Sequence, residues 1–256
     1  MLPINKVYHG DCLDLIQGVD DESVQLIIAD PPYNLGKDFG NNSDMWHSVD
    51  EWMEWSGRWL SECKRVLSPR GSLFVYGIHH YMCFIQVYLY KIGLIYGRQF
   101  IWNYENGWSK YKNSPAATYE PLLWFRKSTQ HIYHAIREPY KSTDRLKYKI
   151  TKNGKVWKPN AAGKMSGDIW RFPTLAGRRF KEEKVPHPTQ KPLLLCDRIV
   201  KHFSNEADLV LVPFAGSGSE CVSAIRNKRN YIGFELNNKY VKLSEGRLRK
   251  VSKELL

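Results

Sequence analysis

The sequence predicts an α/β protein, a mostly parallel sheet covered by helices on both faces and interrupted by a basic insertion. Three observations predict it. Apolar runs of strand length alternate with helical periodicities at both ends of the chain, the pattern of βαβ units. A middle stretch rich in Lys, Asn, Gly and Pro, with Tyr111, Tyr140, Tyr148, Trp157 and Trp170 interleaved, breaks that alternation. The same stretch holds the charge: residues 107–184 carry 18 Lys/Arg against 6 Asp/Glu, whereas the remainder has 20 of each, so the formal net charge of +12 belongs to one segment.

Taken in order, Val24 to Ala29 is a short apolar run that stops at Asp30-Pro31-Pro32, which reads as a buried strand ending in a loop. Ser48 followed by Glu51 is a capping-box pattern, after which Trp52, Trp55, Trp59, Cys63 and Val66 recur at helical spacing. This stripe is expected to face the core rather than a ligand. Gly71 to Gly77 reads as a strand, His80 to Lys91 as a helix closed by Gly93, and Arg98 to Tyr104 as a third strand. Beyond the basic stretch, Pro192 to Phe203 reads as a helix whose period is set by Leu194, Leu195, Arg198, Ile199 and His202. Leu209 to Val212 is a strand, Phe214 to Gly218 a glycine turn, Cys221 to Lys228 a helix, Tyr231 to Phe234 a strand ending at Glu235, and Asn238 to Leu248 a last helix.

Composition excludes several classes. A hydrophobic content of 43% with 9 Trp and 15 Tyr argues against disorder, and no apolar run reaches the roughly 18 residues of a membrane span. Met1 to Gly10 lacks the layout of a secretory signal, so a soluble cytoplasmic protein is expected. The five cysteines, Cys12, Cys63, Cys83, Cys196 and Cys221, form no Cys-x-x-Cys pair, which disfavours a disulfide framework, a structural zinc site and a catalytic thiol. A basic segment beside a neutral remainder is the footprint of a polyanion binder, because Lys and Arg displace counterions from phosphates. Nucleic acid leads on this ground, with an anionic membrane surface or a solvated basic face as the alternatives.

In open α/β sheets ligands sit beyond the carboxyl ends of the strands, and two segments stand there. In Val212-Pro213-Phe214-Ala215-Gly216-Ser217-Gly218, glycines allow close backbone approach, and Glu235 ends the next strand where an acid can accept hydrogen bonds from ribose hydroxyls. No Gly-Lys-Ser/Thr follows, so an ATP-type phosphate loop is disfavoured. The second segment, Asp30-Pro31-Pro32-Tyr33, is more specific. Its prolines lack N–H donors, which leaves carbonyl acceptors beside a carboxylate, and Tyr33 adds a flat ring. This set suits a planar group bearing an amino function.

With His187-Pro188-Thr189-Gln190-Lys191-Pro192 after the basic stretch and Phe214-Ala215-Gly216-Ser217-Gly218 beyond it, the chain resembles the beta class of amino-group (N6-adenine/N4-cytosine) DNA methyltransferases of bacterial restriction–modification systems. The resemblance covers nearly the whole chain. It implies a seven-stranded, circularly permuted, Rossmann-like methyltransferase sheet. Residues 1–106 would be its target-base half, 107–184 a basic target-recognition insertion and 185–256 its cofactor half. It implies S-adenosyl-L-methionine as methyl donor, double-stranded DNA as partner, and adenine N6 as target, since Asp heads the tetrad in the adenine-modifying members; cytosine N4 stays open as the alternative. A homodimer and a cognate restriction endonuclease are further partners that it admits.

Carried over by resemblance, Asp30, Pro31, Pro32 and Tyr33 would be the catalytic tetrad. Phe214, Ala215, Gly216, Ser217 and Gly218 would line the cofactor and Glu235 would bind its ribose. Asp11 and Cys12 would lie beside its adenine ring, and Thr189 and Lys191 near its methionine end, with Asp30 at the shared boundary. Lys110, Lys112, Lys141, Arg145, Lys147, Lys149, Lys152, Lys155 and Lys158 are phosphate candidates, and Arg171, Arg178 and Arg179 could read guanine edges. Two departures stand out. Val212 occupies the place of the usual acidic residue ahead of Pro-Phe, and Ser219-Glu220 the place of the usual Thr-Thr. The missing carboxylate raises a second reading, a catalytically silent DNA-binding subunit; an RNA methyltransferase is a third.

Overall fold

The computed structural model describes residues 1–39, 43–109, 112, 113 and 115–254. Eight strands form one sheet: β1 (Lys6–His9), β2 (Val24–Ala29), β3 (Leu67–Tyr76), β4 (Ile95–Trp108), β5 (Ala117–Arg126), β6 (Ile169–Arg171), β7 (Leu209–Val212) and β8 (Asn230–Glu235). Their spatial order is β1-β8-β7-β2-β3-β5-β4-β6. Only β5 runs antiparallel to its neighbours β3 and β4; all other pairs are parallel. The mostly parallel sheet is as expected, with the three-residue edge strand β6 added to the implied seven.

Side chains alternate along each strand, so one strand serves two cores. Leu26 and Ile28 of β2 pack with Leu195, Ile199, Val222 and Val241, whereas Ile27 and Ala29 pack with Trp59, Leu60 and Ile85. Helices α1 (Cys12–Leu15), α2 (Val49–Val66) and α3 (Met82–Lys91) therefore cover one face, and α4 (Leu193–Phe203), α5 (Ser219–Arg226) and α6 (Asn238–Glu254) the other. Burial on both faces is why β2 reads as an unbroken apolar run. Ser48 caps α2, its hydroxyl accepting from the Glu51 N–H at 3.1 Å, while Glu51 Oε2 accepts from His47 N–H, one residue earlier than a capping box places it.

Three expectations need correction. The basic stretch is no excursion from end to end: β5 and β6 lie within 107–184, and Leu122, Leu123 and Phe125 of β5 are buried in the middle of the sheet. Net charge hid this strand, because its Leu-Leu-Trp-Phe run sits among lysines and arginines that face elsewhere. The phase of α4 also differs. Leu194 is 62% exposed, and the buried face is Leu195, Cys196, Ile199, Val200 and Phe203. Finally, β1 joins the sheet without a sequence signal, being only four residues long with one buried side chain.

Candidate active site

Four parallel neighbours, β1, β8, β7 and β2, end side by side, and the loops leaving their carboxyl ends enclose a cavity of about 400 Å³. Four strands span about 14 Å, enough for a nucleoside with an amino-acid tail. From the end of β1 come Gly10, Asp11 and Cys12; from β8, Glu235; from β7, Phe214, Ala215, Gly216 and Ser217; from β2, Asp30 to Tyr33. The strand order therefore brings β2 and β7 together across some 180 residues of sequence, and the cavity lies at that junction.

The β2 loop is held rigidly. The Trp52 indole N–H donates to the Pro32 carbonyl at 3.1 Å, which pins the second proline. Buried Asp44 accepts the N–H groups of Asn34 (2.5 Å) and Leu35 (3.2 Å), and the Asn34 side chain accepts from Trp46 N–H. Asn34 itself has φ 57°, a left-handed conformation that Asn tolerates. The Tyr33 hydroxyl donates to Asp30 Oδ1, and burial together with that carboxylate pushes the phenol well above its usual pKa.

On the β7 side the turn closes through Gly218 N–H to the Ala215 carbonyl at 2.6 Å, and Ala215 N–H bonds to the Phe234 carbonyl of the neighbouring strand. Glu235 accepts from Gly216 N–H at 2.8 Å and Asn237 N–H at 2.7 Å, so it ties the turn to the end of β8. At Gly216 (φ +49°) any side chain would be strained, and a Cβ would lie 2.9 Å from the His187 ring, which would have to shift. His187 stays neutral at pH 7 because burial lowers its pKa to about 4.

Lys191 joins the two halves. It is 3% exposed, and its ammonium lies 2.7 Å from Asp30 Oδ2, 3.5 Å from Glu120 Oε2 on β5 and over the Tyr76 ring at 4.9 Å. Asp30 and Glu120 raise its pKa against the effect of burial, so it is a cation at any working pH. The ammonium is thus held by carboxylates of the β2 loop and of β5, rather than standing free for an anionic end of a ligand. Glu220, at the start of α5, lines the cavity floor at 4% exposure, and burial beside Asp30 pushes its carboxyl up to about 7.

A family profile described as DNA methylase, that of the N6/N4 methyltransferases, matches residues 24–246. The type II methyltransferase M1.MboII of Moraxella bovis is 37% identical over 94% of this chain and 95% of its own length. The DNA adenine methyltransferase YhdJ of Escherichia coli is 34% identical over 94% of this chain and 82% of its own. The chain belongs to the N6/N4 DNA methylase family. Solved structures of the same fold include the cytosine-N4-specific PvuII methyltransferase (TM-score 0.69, 19% identity, 98% of this chain, 94% of that one). Another is M1.HpyAVI, a complex with S-adenosylmethionine (TM-score 0.65, 22% identity, 95% and 98%).

Within this methylase, the cavity gathers Asp11, Cys12, Asp30, Pro31, Pro32, Tyr33, Thr189, Lys191, Phe214, Ala215, Gly216, Ser217 and Glu235. Gly218 does not line it. Its role is packing: with φ +75° it starts α5, and a Cβ there would meet Ser244 Cβ of α6 at 2.6 Å. Val212 is buried in the core behind the turn. Of the tryptophan stripe, Trp52 and Trp59 are buried as expected, but Trp55 lines the cavity and packs on Trp46 (4.9 Å) and Phe214 (5.8 Å). Further lining residues to which the sequence assigns no site role include Glu220, Asp44, Trp46, Phe39, Asn237 and Tyr240. Asn237 is legible only in hindsight, two positions after Glu235, and Phe39 has no sequence signal.

Around the basic stretch, Lys112, Lys141, Lys147, Lys149, Lys152, Lys155, Lys158, Arg171, Arg178 and Arg179 are exposed and Arg145 is half-buried, its guanidinium donating to the Tyr148 carbonyl. Lys147 is paired with Asp144 at 2.6 Å. Lys110 lies outside the described residues. No described helix is long and apolar enough to cross a membrane.

Proposed function

We propose that this methylase transfers a methyl group from S-adenosyl-L-methionine to the exocyclic N6 of adenine in duplex DNA, on a nucleotide flipped out of the helix. The observation that carries the reading is one cavity shared by the Asp30-Pro31-Pro32-Tyr33 loop, the glycine turn and Glu235. The lining fits such a donor: Glu235 offers carboxylate acceptors for ribose hydroxyls, Trp55 and Phe214 offer flat apolar faces for a purine, and Asp11 and Cys12 stand beside them. When bound, the donor supplies an electrophilic methyl group on a sulfonium.

The protein's part concerns the base. An exocyclic amino lone pair is delocalised into the ring and is a poor nucleophile. Asp30 and the Pro31 carbonyl accept its two N–H bonds, which favours a pyramidal nitrogen and the positive charge that it gains as the N–methyl bond forms and the sulfonium–methyl bond breaks; S-adenosylhomocysteine leaves, and one amino proton is given up through the hydrogen bond at Asp30 to solvent. Lys191 holds Asp30 in place from the opposite side. No protein nucleophile is required, in keeping with thiols of Cys12, Cys63, Cys196 and Cys221 that burial pushes up. Flipping costs a few kcal/mol, and stacking on an aromatic ring returns roughly 1–3 kcal/mol. Tyr33 is 8% exposed, so base entry requires the segment clamped by Asp44 to yield.

Adenine is favoured by the Asp at the head of the tetrad and by the name of the Escherichia coli relative. The exposed lysines of 141–158 supply phosphate contacts and Arg171, Arg178 and Arg179 base contacts. The relatives named type II methyltransferases support a cognate restriction endonuclease as partner, and because the cavity lies within one chain the reading needs no homodimer. Single-molecule sequencing of DNA from a methylation-free host expressing the protein tests all of this together. N6-methyladenine at one sequence motif is expected. Only 4-methylcytosine would overturn the base assignment, and unmodified DNA would favour the silent subunit.

A further inference from the structure

Five carboxylates line the cavity, and four of them already accept hydrogen bonds from good donors of the protein. Asp11 accepts from Leu13 N–H at 2.8 Å, Asp30 from Lys191 and Tyr33, Asp44 from Asn34 and Leu35 N–H, and Glu235 from Gly216 and Asn237 N–H. Glu220 differs. Its side-chain partner is the Cys196 thiol, a weak donor at 3.7 Å, supplemented by its own backbone N–H. A carboxyl group 4% exposed and so poorly satisfied costs stability, which is retained where it serves a ligand. Position says which part of the ligand. Glu235 ends β8 and marks the ribose end, whereas Glu220 opens α5 beyond the glycine turn, against Cys196 of α4, the helix that follows the Lys191–Asp30 pair.

We propose that Glu220 is the carboxylate that receives the α-ammonium group of the methyl donor's amino-acid end, the task for which Val212 has no side-chain acceptor. The inference rests on S-adenosylmethionine being the donor. A cation placed against Glu220 turns a poorly solvated carboxyl into half of a charge-assisted pair. The Cys196 thiol of α4 contacts that carboxyl, and the other titratable groups whose charge reaches it are Asp30 of the β2 loop, Lys191 ahead of α4, Tyr76 of β3, Arg247 of α6 and the adjoining Cys221. The near cations, Lys191 and Arg247, have other partners: Lys191 has Asp30 and Glu120, and Arg247 donates to the Ser217 carbonyl at 2.6 Å.

Isothermal titration of the full chain with three ligands tests this: S-adenosylmethionine, S-adenosylhomocysteine, and the latter with hydrogen in place of its α-amino group. Glu220→Gln is expected to weaken the first two about 10- to 100-fold and to leave the deaminated analogue unchanged. Equal affinities of wild type and variant for S-adenosylhomocysteine overturn the proposal. So does an equal loss for the deaminated analogue, which would mark a structural role, or a loss for S-adenosylmethionine alone, which would mark the sulfonium as the partner. No heat from wild type with either natural ligand overturns the methyl-donor reading itself. Where Glu220→Gln does not fold, the wild-type Glu220 carboxyl 13C resonance at pH 6.5 decides. It should move to the ionised position with S-adenosylhomocysteine and not with the deaminated analogue; movement with both, or with neither, overturns the proposal.

Discussion

The strand-end cavity and the basic excursion from 137 to 165 are built in opposite ways. In the cavity most functional groups are buried or half-buried and held by partners from several elements, as Asp30 is by Lys191 from 161 positions away. The excursion is built around short two-stranded pieces, Ile150–Lys152 against Lys155–Trp157 and Arg137–Glu138 against Lys164–Met165, whose residues are nearly all exposed, Trp157 among them, as is nearby Tyr148. Its anchor to the core is Glu138, which meets Arg198 of α4 at 3.1 Å and Ser166 at 2.8 Å. Chemistry on an amino group needs acceptors fixed to fractions of an ångström, which the ends of paired interior strands supply. Attraction to a phosphate chain needs only charge within a Debye length, and an exposed hairpin suffices.

That contrast breaks most easily in salt. If six or more of the basic residues contact phosphates, affinity for duplex DNA should fall about 10³-fold or more between 50 and 200 mM salt in a mobility-shift titration, and a flat response would contradict the electrostatic assignment. Asp30→Asn should lower methyl transfer about 10²- to 10³-fold while leaving DNA affinity within a few-fold, because it removes one acceptor and none of the exposed cations. Equal losses in both measurements would show that the two regions are not separable.

Stability sharpens the comparison further. The Glu220 carboxyl is raised in the folded state from about 4.5 to about 7, so the folded protein binds the extra proton. Its contribution is fully present below pH 4.5 and is lost as pH rises through 7. Relative to Glu220→Gln, wild type should therefore lose a few kcal/mol of unfolding free energy between pH 4.5 and 7.5, read by urea denaturation. The smallest effects separate two glycines with the same left-handed backbone. Gly218→Ala adds a clash with Ser244 to the conformational cost and should destabilise by about 3 kcal/mol, whereas Gly154→Ala, at φ +71° with nothing within 4 Å, should cost about 1 kcal/mol.

Much of the cavity was legible because its motifs are local. A proline pair after an apolar run and glycines after another are readable wherever they occur, since backbone geometry at a strand end depends on a few adjacent residues. Glu220 shows the limit. In sequence it is one acid in the first turn of a short helix, and its significance comes from the thiol, lysine and aspartate that other elements place around it. The antiparallel β5 shows a second limit: its buried face is set by β3 and β4, while the charge count that masked it averages over both faces and the neighbouring loops.

By itself, then, the sequence determined the alternation of strands and helices, the Asp-Pro-Pro-Tyr loop after β2, the glycine turn and the segment that carries the net charge, because each is written in side-chain period or composition over a short window. Tertiary structure alone decided that β2 lies beside β7, that Lys191 neutralises Asp30 and Glu120 rather than standing free, that Gly218 serves packing, and that Trp55 turns from core to cavity. Those outcomes depend on which strand edges pair and which groups lose water together, energies that exist only between parts of the chain far apart in sequence.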